Sequence, residues 1–153
     1  MTVPQPGDQA PDFALTTTEG EVSLAGLIAK DRLILAFYAE DATPRCSTQV
    51  SMLKDDYPLV GEFAATVLAI SADSIESHRA FAERLGGVPF PLASDVDLTV
   101  ARLYGVADED AKRCQRAVFV IDETGMVLHS QPWFQPGNPA QYQAIFEALG
   151  LES

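Results

Sequence analysis

Cysteine is scarce in this chain. Cys46 and Cys114 are the only two among 153 residues, and histidine also occurs just twice, at His78 and His129. Two thiols cannot build the disulfide framework of a small secreted domain, and so few scattered Cys and His residues do not make a zinc site. Basic residues are few as well. Ten Lys and Arg stand against 22 Asp and Glu, for a net charge of -12. Such a surface repels phosphate backbones and anionic lipids, which argues against nucleic acid and membrane as partners. The longest apolar runs, such as Leu33–Ala39 and Thr66–Ile70, fall far short of the ~20 residues that a membrane span needs. The opening, MTVPQPGDQAPDFAL, lacks the basic and apolar regions of a signal peptide. The expectation is therefore a soluble cytoplasmic protein, in which cysteine serves as a buried side chain or a reactive thiol.

What is present is globular. The composition is 47% hydrophobic and 21% charged, and the length suits one domain over residues 1–153. Leu33–Ala39 (LILAFYA) is apolar almost throughout, as a central strand covered on both faces should be. Thr66–Ser71 and Ala117–Ile121 read as two more buried strands, and Val127–His129 follows after the turn Asp122–Gly125. Phe13–Leu15 and Glu21–Leu24 are short strand candidates around Glu19-Gly20. Helical spacing of three and four marks Cys46–Tyr57, Ile75–Leu85, Asp97–Tyr104 and Asn138–Leu149, the last with Asn138 as cap and Pro139 at the first helical position. Strands alternating with helices, closed by a hairpin and a helix, predict an α/β fold with a central mixed sheet flanked by helices.

The chemistry concentrates in Ala36–Gln49, AFYAEDATPRCSTQ. A buried strand ends near Tyr38, a short polar loop follows, and Thr43-Pro44 reads as an N-cap with proline behind it. Cys46 then falls in the first helical turn. Unpaired backbone N–H groups and the positive end of the helix dipole lie there, and both favour a thiolate over a thiol. Residues alone leave open which electrophile that thiolate would attack, and a buried structural thiol is the alternative.

This segment resembles the peroxiredoxins, which carry Pro-x-x-x-Thr-x-x-Cys at the peroxide-reducing cysteine. The chain reads Ala39-Glu-Asp-Ala-Thr43-Pro-Arg-Cys46, with Ala39 in place of the proline. The peroxiredoxin Q, or bacterioferritin-comigratory, branch is the most similar. It favours Phe-Tyr before the loop, here Phe37-Tyr38, and Thr-Pro-Gly-Cys-Thr at the site, here Thr43-Pro-Arg-Cys-Ser47. Gly7–Phe13, Ser71–His78 with Phe81, Phe90–Asp95, Tyr104–Val106 and Arg116–Asp122 with Gly125 continue the resemblance in order along the chain.

The resemblance implies a thioredoxin-like fold and a thiol-dependent peroxidase acting on hydrogen peroxide and organic hydroperoxides through a cysteine sulfenic acid. It implies Cys46 as the reacting thiol and Arg116 as a guanidinium beside it, with thioredoxin or another thiol as reductant. It implies no metal, haem or nucleotide, and a monomer or homodimer. Thr43 could act as N-cap or bond the peroxide, since a hydroxyl both donates and accepts. Gln49, one turn after Cys46, would orient Arg116 or a loop. Many members of the branch place a resolving cysteine five residues after the first, where this chain has Ser51. Cys114 is then the internal candidate, and an external thiol is the other. His78 and His129 read as surface or strand-end residues, and Trp133-Phe134 as packing. A disulfide reductase of the same fold would need Cys-x-x-Cys, which Gln49 breaks. A redox-sensing or binding protein without turnover is the non-enzymatic rival.

Overall fold

A computed structural model describes residues 3–150. Its sheet is built around the most apolar run in the sequence. Strand β3 (Arg32–Phe37) pairs in parallel with β4 (Ala65–Ser71) on one side and antiparallel with β8 (Ala117–Ile121) on the other. Outward from these lie β5 (Leu92–Ser94), β1 (Ala14–Thr17) and β2 (Gly20–Ser23) on one flank and β9 (Val127–Pro132) on the other. The seven strands run in the order β2-β1-β5-β4-β3-β8-β9, a mixed sheet. This is the predicted architecture.

Alternation along β3 divides the core in two. Leu33, Leu35 and Phe37 face one apolar cluster, where α1 (Leu24–Ile28) and α5 (Thr99–Leu103) pack. Ile34, Ala36 and Tyr38 face the other, which is covered by α2 (Pro44–Asp55), α3 (Tyr57–Glu62), α4 (Ile75–Arg84) and α6 (Pro139–Ala148). Capping follows the sequence. Asn138 Oδ1 accepts from the Ala140 and Gln141 N–H groups, and Ser74 Oγ accepts from the Ser77 N–H. In the β8–β9 turn, Gly125 adopts φ 86°, which a residue without Cβ takes freely.

Several expectations need correction. The helix predicted to run to Tyr57 ends at Asp55, and Tyr57-Pro58 starts a new one, because proline is favoured at a first turn and disfavoured inside a helix. A hairpin of β6 (Ala107–Asp108) and β7 (Arg113–Cys114) was not foreseen in a segment with no apolar alternation. Phe134 is buried, but Trp133 is 67% exposed rather than packed. His78 is wholly buried, contrary to its expected place at the surface.

Candidate active site

Strand β3 ends at the buried Phe37. The Tyr38 N–H still donates to the Ile70 carbonyl at 2.9 Å. The chain then turns through residues 39–43 into α2. Ala42 in this loop has φ 65°, a left-handed conformation that costs an alanine roughly 1–2 kcal/mol. Pro44 opens the helix, and its fixed φ and missing N–H suit that position.

Cys46 is the third residue of α2 and is 1% exposed. Thr43 occupies the N-cap position with extended backbone, but its hydroxyl does not cap the helix. Its Oγ1 donates to the Glu40 carbonyl at 3.1 Å instead. The expected side-chain cap is therefore absent, and the first-turn N–H groups around Cys46 are not quenched by Thr43. Gln49, one turn on, is buried. Its Nε2 donates to the Phe37 carbonyl at 3.1 Å and ties α2 to the end of β3. Its Oε1 is buried without a hydrogen-bond partner, an acceptor held ready beside the site.

Arg116 reaches the same end of the sheet by register. Phe37 pairs with Ala117, so Arg116 lies one step further, beside the point where β3 becomes the loop. The half-buried Arg116 is fixed by Phe134, whose N–H donates to the Arg116 carbonyl at 2.9 Å and whose carbonyl accepts from Nε at 3.4 Å. A cleft of about 220 Å³ is lined by Ala39, Arg116, Cys114, Trp133 and Gln135, among others. A second, of about 550 Å³, runs from Arg45 and Thr48 of α2 to the 135–139 segment.

Cys114 borders the first cleft, yet its side chain packs in the cluster on the opposite face of the sheet from Cys46. Burial, with smaller contributions from Asp95 and Asp73, pushes its thiol well above the ordinary range. Both cysteines are free thiols. Register puts Arg116, and the start of α2 puts Thr43 and Cys46, at the same end of β3, although Cys46 and Thr43 line neither cleft, and Cys114 packs beneath the other face.

Sequence reading missed a polar cluster under the loop. The Asp41 carboxylate accepts from Tyr38 Oη at 2.6 Å and Ser77 Oγ at 2.7 Å, and lies 2.9–3.0 Å from His78 Nδ1. Its backbone N–H donates to Asp73 Oδ2 at 2.9 Å. Burial alone would raise the Asp41 carboxyl, but the hydrogen bonds from His78, Tyr38 and Ser77 outweigh it and hold it below its usual value. Burial, then the nearby Asp41 charge, drives the Tyr38 phenol well above its usual value. Asp41, Asp73 and His78 also bring one potential ligand atom each within 4.8 Å of one another. Here the His78 Nε2 hydrogen goes to the Ala93 carbonyl, and Nδ1 lies within hydrogen-bond distance of both Asp41 and Tyr38 Oη. His78 was detectable in principle: it precedes Phe81 by three residues and Ala82 by four, the spacing of one helix face.

Residues 6–130 match the AhpC/TSA family. The chain is 35% identical over 127 residues to a peroxiredoxin bcp of Coxiella burnetii, covering 79% of this chain and 83% of that protein. It is 32% identical over 138 residues to a chloroplastic 2-Cys peroxiredoxin of Hordeum vulgare, covering 84% of this chain but 66% of that longer protein. The fold superimposes on the crystal structure of peroxidoxin BcpB from Mycobacterium tuberculosis with a TM-score of 0.86 and 28% identity, covering 98% of this chain and 99% of the other.

Proposed function

Because the chain belongs to the AhpC/TSA family and is a peroxiredoxin, we propose that Cys46 is the thiol that reduces the peroxide. The observation carrying this reading is the position of Cys46 in the first turn of α2, with Thr43 not capping it and Arg116 brought by strand register to the same sheet end. The Cys46 thiolate attacks the distal oxygen of a hydroperoxide. The S–O bond forms as the O–O bond breaks, giving a sulfenic acid and, after protonation of the leaving oxygen, water or an alcohol. The α2 N–H groups and the Arg116 guanidinium stabilise the charge that moves onto that oxygen. Thr43 keeps its two acceptor lone pairs for the peroxide proton while it donates to Glu40.

A thiol then attacks the sulfenic sulfur and expels water, leaving a disulfide. We assign this step to an external reductant such as thioredoxin. Cys114 packs on the other face of the sheet, and its raised thiol is a poor nucleophile at neutral pH. Its place in the cleft beside Ala39 and Arg116 supports a second reading, in which it resolves Cys46 once the loop and the first turn of α2 open. The substrates are hydrogen peroxide and organic hydroperoxides. The working unit is one thioredoxin-like domain, as monomer or homodimer, in a cytoplasm that keeps thiols reduced.

The test is peroxide consumption with thioredoxin or dithiothreitol as donor, followed by peptide mapping after one equivalent of peroxide. Turnover that is lost in Cys46→Ser supports the reading. Absence of consumption by the wild type moves the protein to the redox-sensing alternative, and a Cys46–Cys114 linked peptide moves resolution inside the chain.

A further inference from the structure

We propose that His78 is a positioning residue for Cys46: through Asp41 it locks the loop 39–43 against the sheet and so holds the first turn of α2 in its peroxide-reducing form. This rests on the reading of Cys46 as the peroxide-reducing thiol.

Asp41 is the tie-point of the loop. It is bonded to β3 through Tyr38, to the turn after β4 through Asp73, and to α4 through Ser77 and His78. His78 extends the tie to β5, because its Nε2 donates to the Ala93 carbonyl at 2.9 Å. A carbonyl only accepts, so Nε2 carries the hydrogen of that bond, while Nδ1 lies 2.9 Å from the Asp41 carboxylate and 3.1 Å from Tyr38 Oη. Asp73 is itself held by Ser71 Oγ at 2.6 Å, and its carbonyl accepts from Ser94 Oγ at 2.6 Å. His78 is 0% exposed, so the bond from its ring to the Ala93 carbonyl forms away from competing water, while the bonds of Asp41 and Asp73 are part-buried. The titratable groups facing the ring are Tyr38, Asp41 and Asp73.

The loop needs such a lock because it is strained. Ala42, next to Asp41, sits at φ 65° immediately before the N-cap Thr43. A non-glycine residue keeps that conformation only where its surroundings over-determine it. Asp41 supplies the restraint on one side and Pro44 on the other. Release of Asp41 lets Ala42 relax, rotates the start of α2, and moves Cys46 away from Arg116. A misplacement of about 1 Å at reacting atoms is enough to cost about a hundredfold in rate.

The experiment compares the wild type with His78→Gln, Asp41→Ala, Ala42→Gly and the double variant His78→Gln/Ala42→Gly. Two quantities are read: the single-turnover rate of Cys46 with hydrogen peroxide, and amide hydrogen exchange followed by mass spectrometry, which does not depend on turnover. The expected result is a rate about 10- to 100-fold lower in His78→Gln and Asp41→Ala. Amides of residues 40–46 should exchange at least about tenfold faster, while those of Leu33–Phe37 stay protected. Glycine takes the left-handed conformation without strain, so the double variant should recover about fivefold or more of the lost rate and regain loop protection. Loop exchange unchanged in His78→Gln, exchange raised equally across the sheet, or no recovery in the double variant would each overturn the proposal. A wild type without peroxide turnover, but with the expected exchange pattern, overturns the catalytic part of the proposal and leaves the loop lock standing.

Discussion

Two cysteines sit under opposite faces of one sheet, equally hidden from solvent and chemically unlike. Cys46 and Cys114 are each 1% exposed. Cys46 lies in the first turn of a helix, whose unpaired N–H groups favour negative charge, at the end of a polar loop that Asp41 and His78 tie down. Cys114 lies in a two-residue strand against an apolar cluster, with its thiol driven up by burial and by two carboxylates. Burial by itself therefore says nothing about reactivity. What differs is the surroundings of the sulfur, a helix N-terminus for Cys46 and an apolar cluster for Cys114.

The comparison breaks most readily at the sulfur itself. Cys46→Ser should lower peroxidase turnover by at least about a thousandfold, since the nucleophile is gone. Cys114→Ser should stay within about twofold of the wild type with an external thiol donor, while losing roughly 1–2 kcal/mol of stability because a hydroxyl replaces a thiol in an apolar site. Steady-state rates together with urea unfolding of both variants check this. The reverse ranking of rates would dissolve the contrast.

Arg116 sharpens it next. Arg116→Ala should cut the peroxide rate by about 10²- to 10³-fold, with the fold intact by circular dichroism, because one electrostatic stabiliser of the leaving oxygen is removed. An unchanged rate would leave the helix terminus as the whole distinction between the two thiols. Native-state alkylation with iodoacetamide should then mark Cys46 at least about tenfold faster than Cys114, read by mass spectrometry. Equal rates would mean that both segments open alike.

Ala39 is a finer probe, because it stands where the family carries proline, lines the cleft with Arg116 and Cys114, and packs against the cluster that holds Cys46. Ala39→Pro should raise the peroxide rate or slow oxidation past the sulfenic acid by a factor of about two to five, through a more rigid loop. Peroxide titration with intact-mass readout measures both. The smallest effect is on stability in acid. The Asp41 carboxyl is held below its ordinary value of 3.8 in the folded protein. Its contribution is therefore fully present above that ordinary value and is lost as pH falls below it toward the folded value. The stability difference between wild type and Asp41→Asn should be flat above about pH 5 and shrink below about pH 4. A difference that does not vary with pH would show that the Asp41 charge adds nothing to the lock.

Local chemistry made much of this legible from residues alone. Strand β3 was readable because a strand buried on both faces has to be apolar throughout, and Leu33–Phe37 is. The helix bearing Cys46 was readable because Thr43-Pro44 marks a first turn, and Asn138-Pro139 announced α6 in the same way. The order of these elements gave the mixed sheet, and the Thr43-to-Cys46 spacing pointed to the family.

Tertiary structure alone decided the rest, because it depends on atoms far apart in sequence. Thr43 turned its hydroxyl to Glu40 rather than to the helix, a choice between two partners that spacing cannot rank. Cys114 fell on the far face of the sheet because a hairpin of two-residue strands, invisible to periodicity, set its side. His78 went inside because the Asp41 carboxylate, 37 residues earlier, and the Ala93 carbonyl, 15 residues later, together satisfy a ring that would otherwise belong in water. Sequence determines which residues can carry charge or a reactive thiol; only the packed fold determines which of them meet.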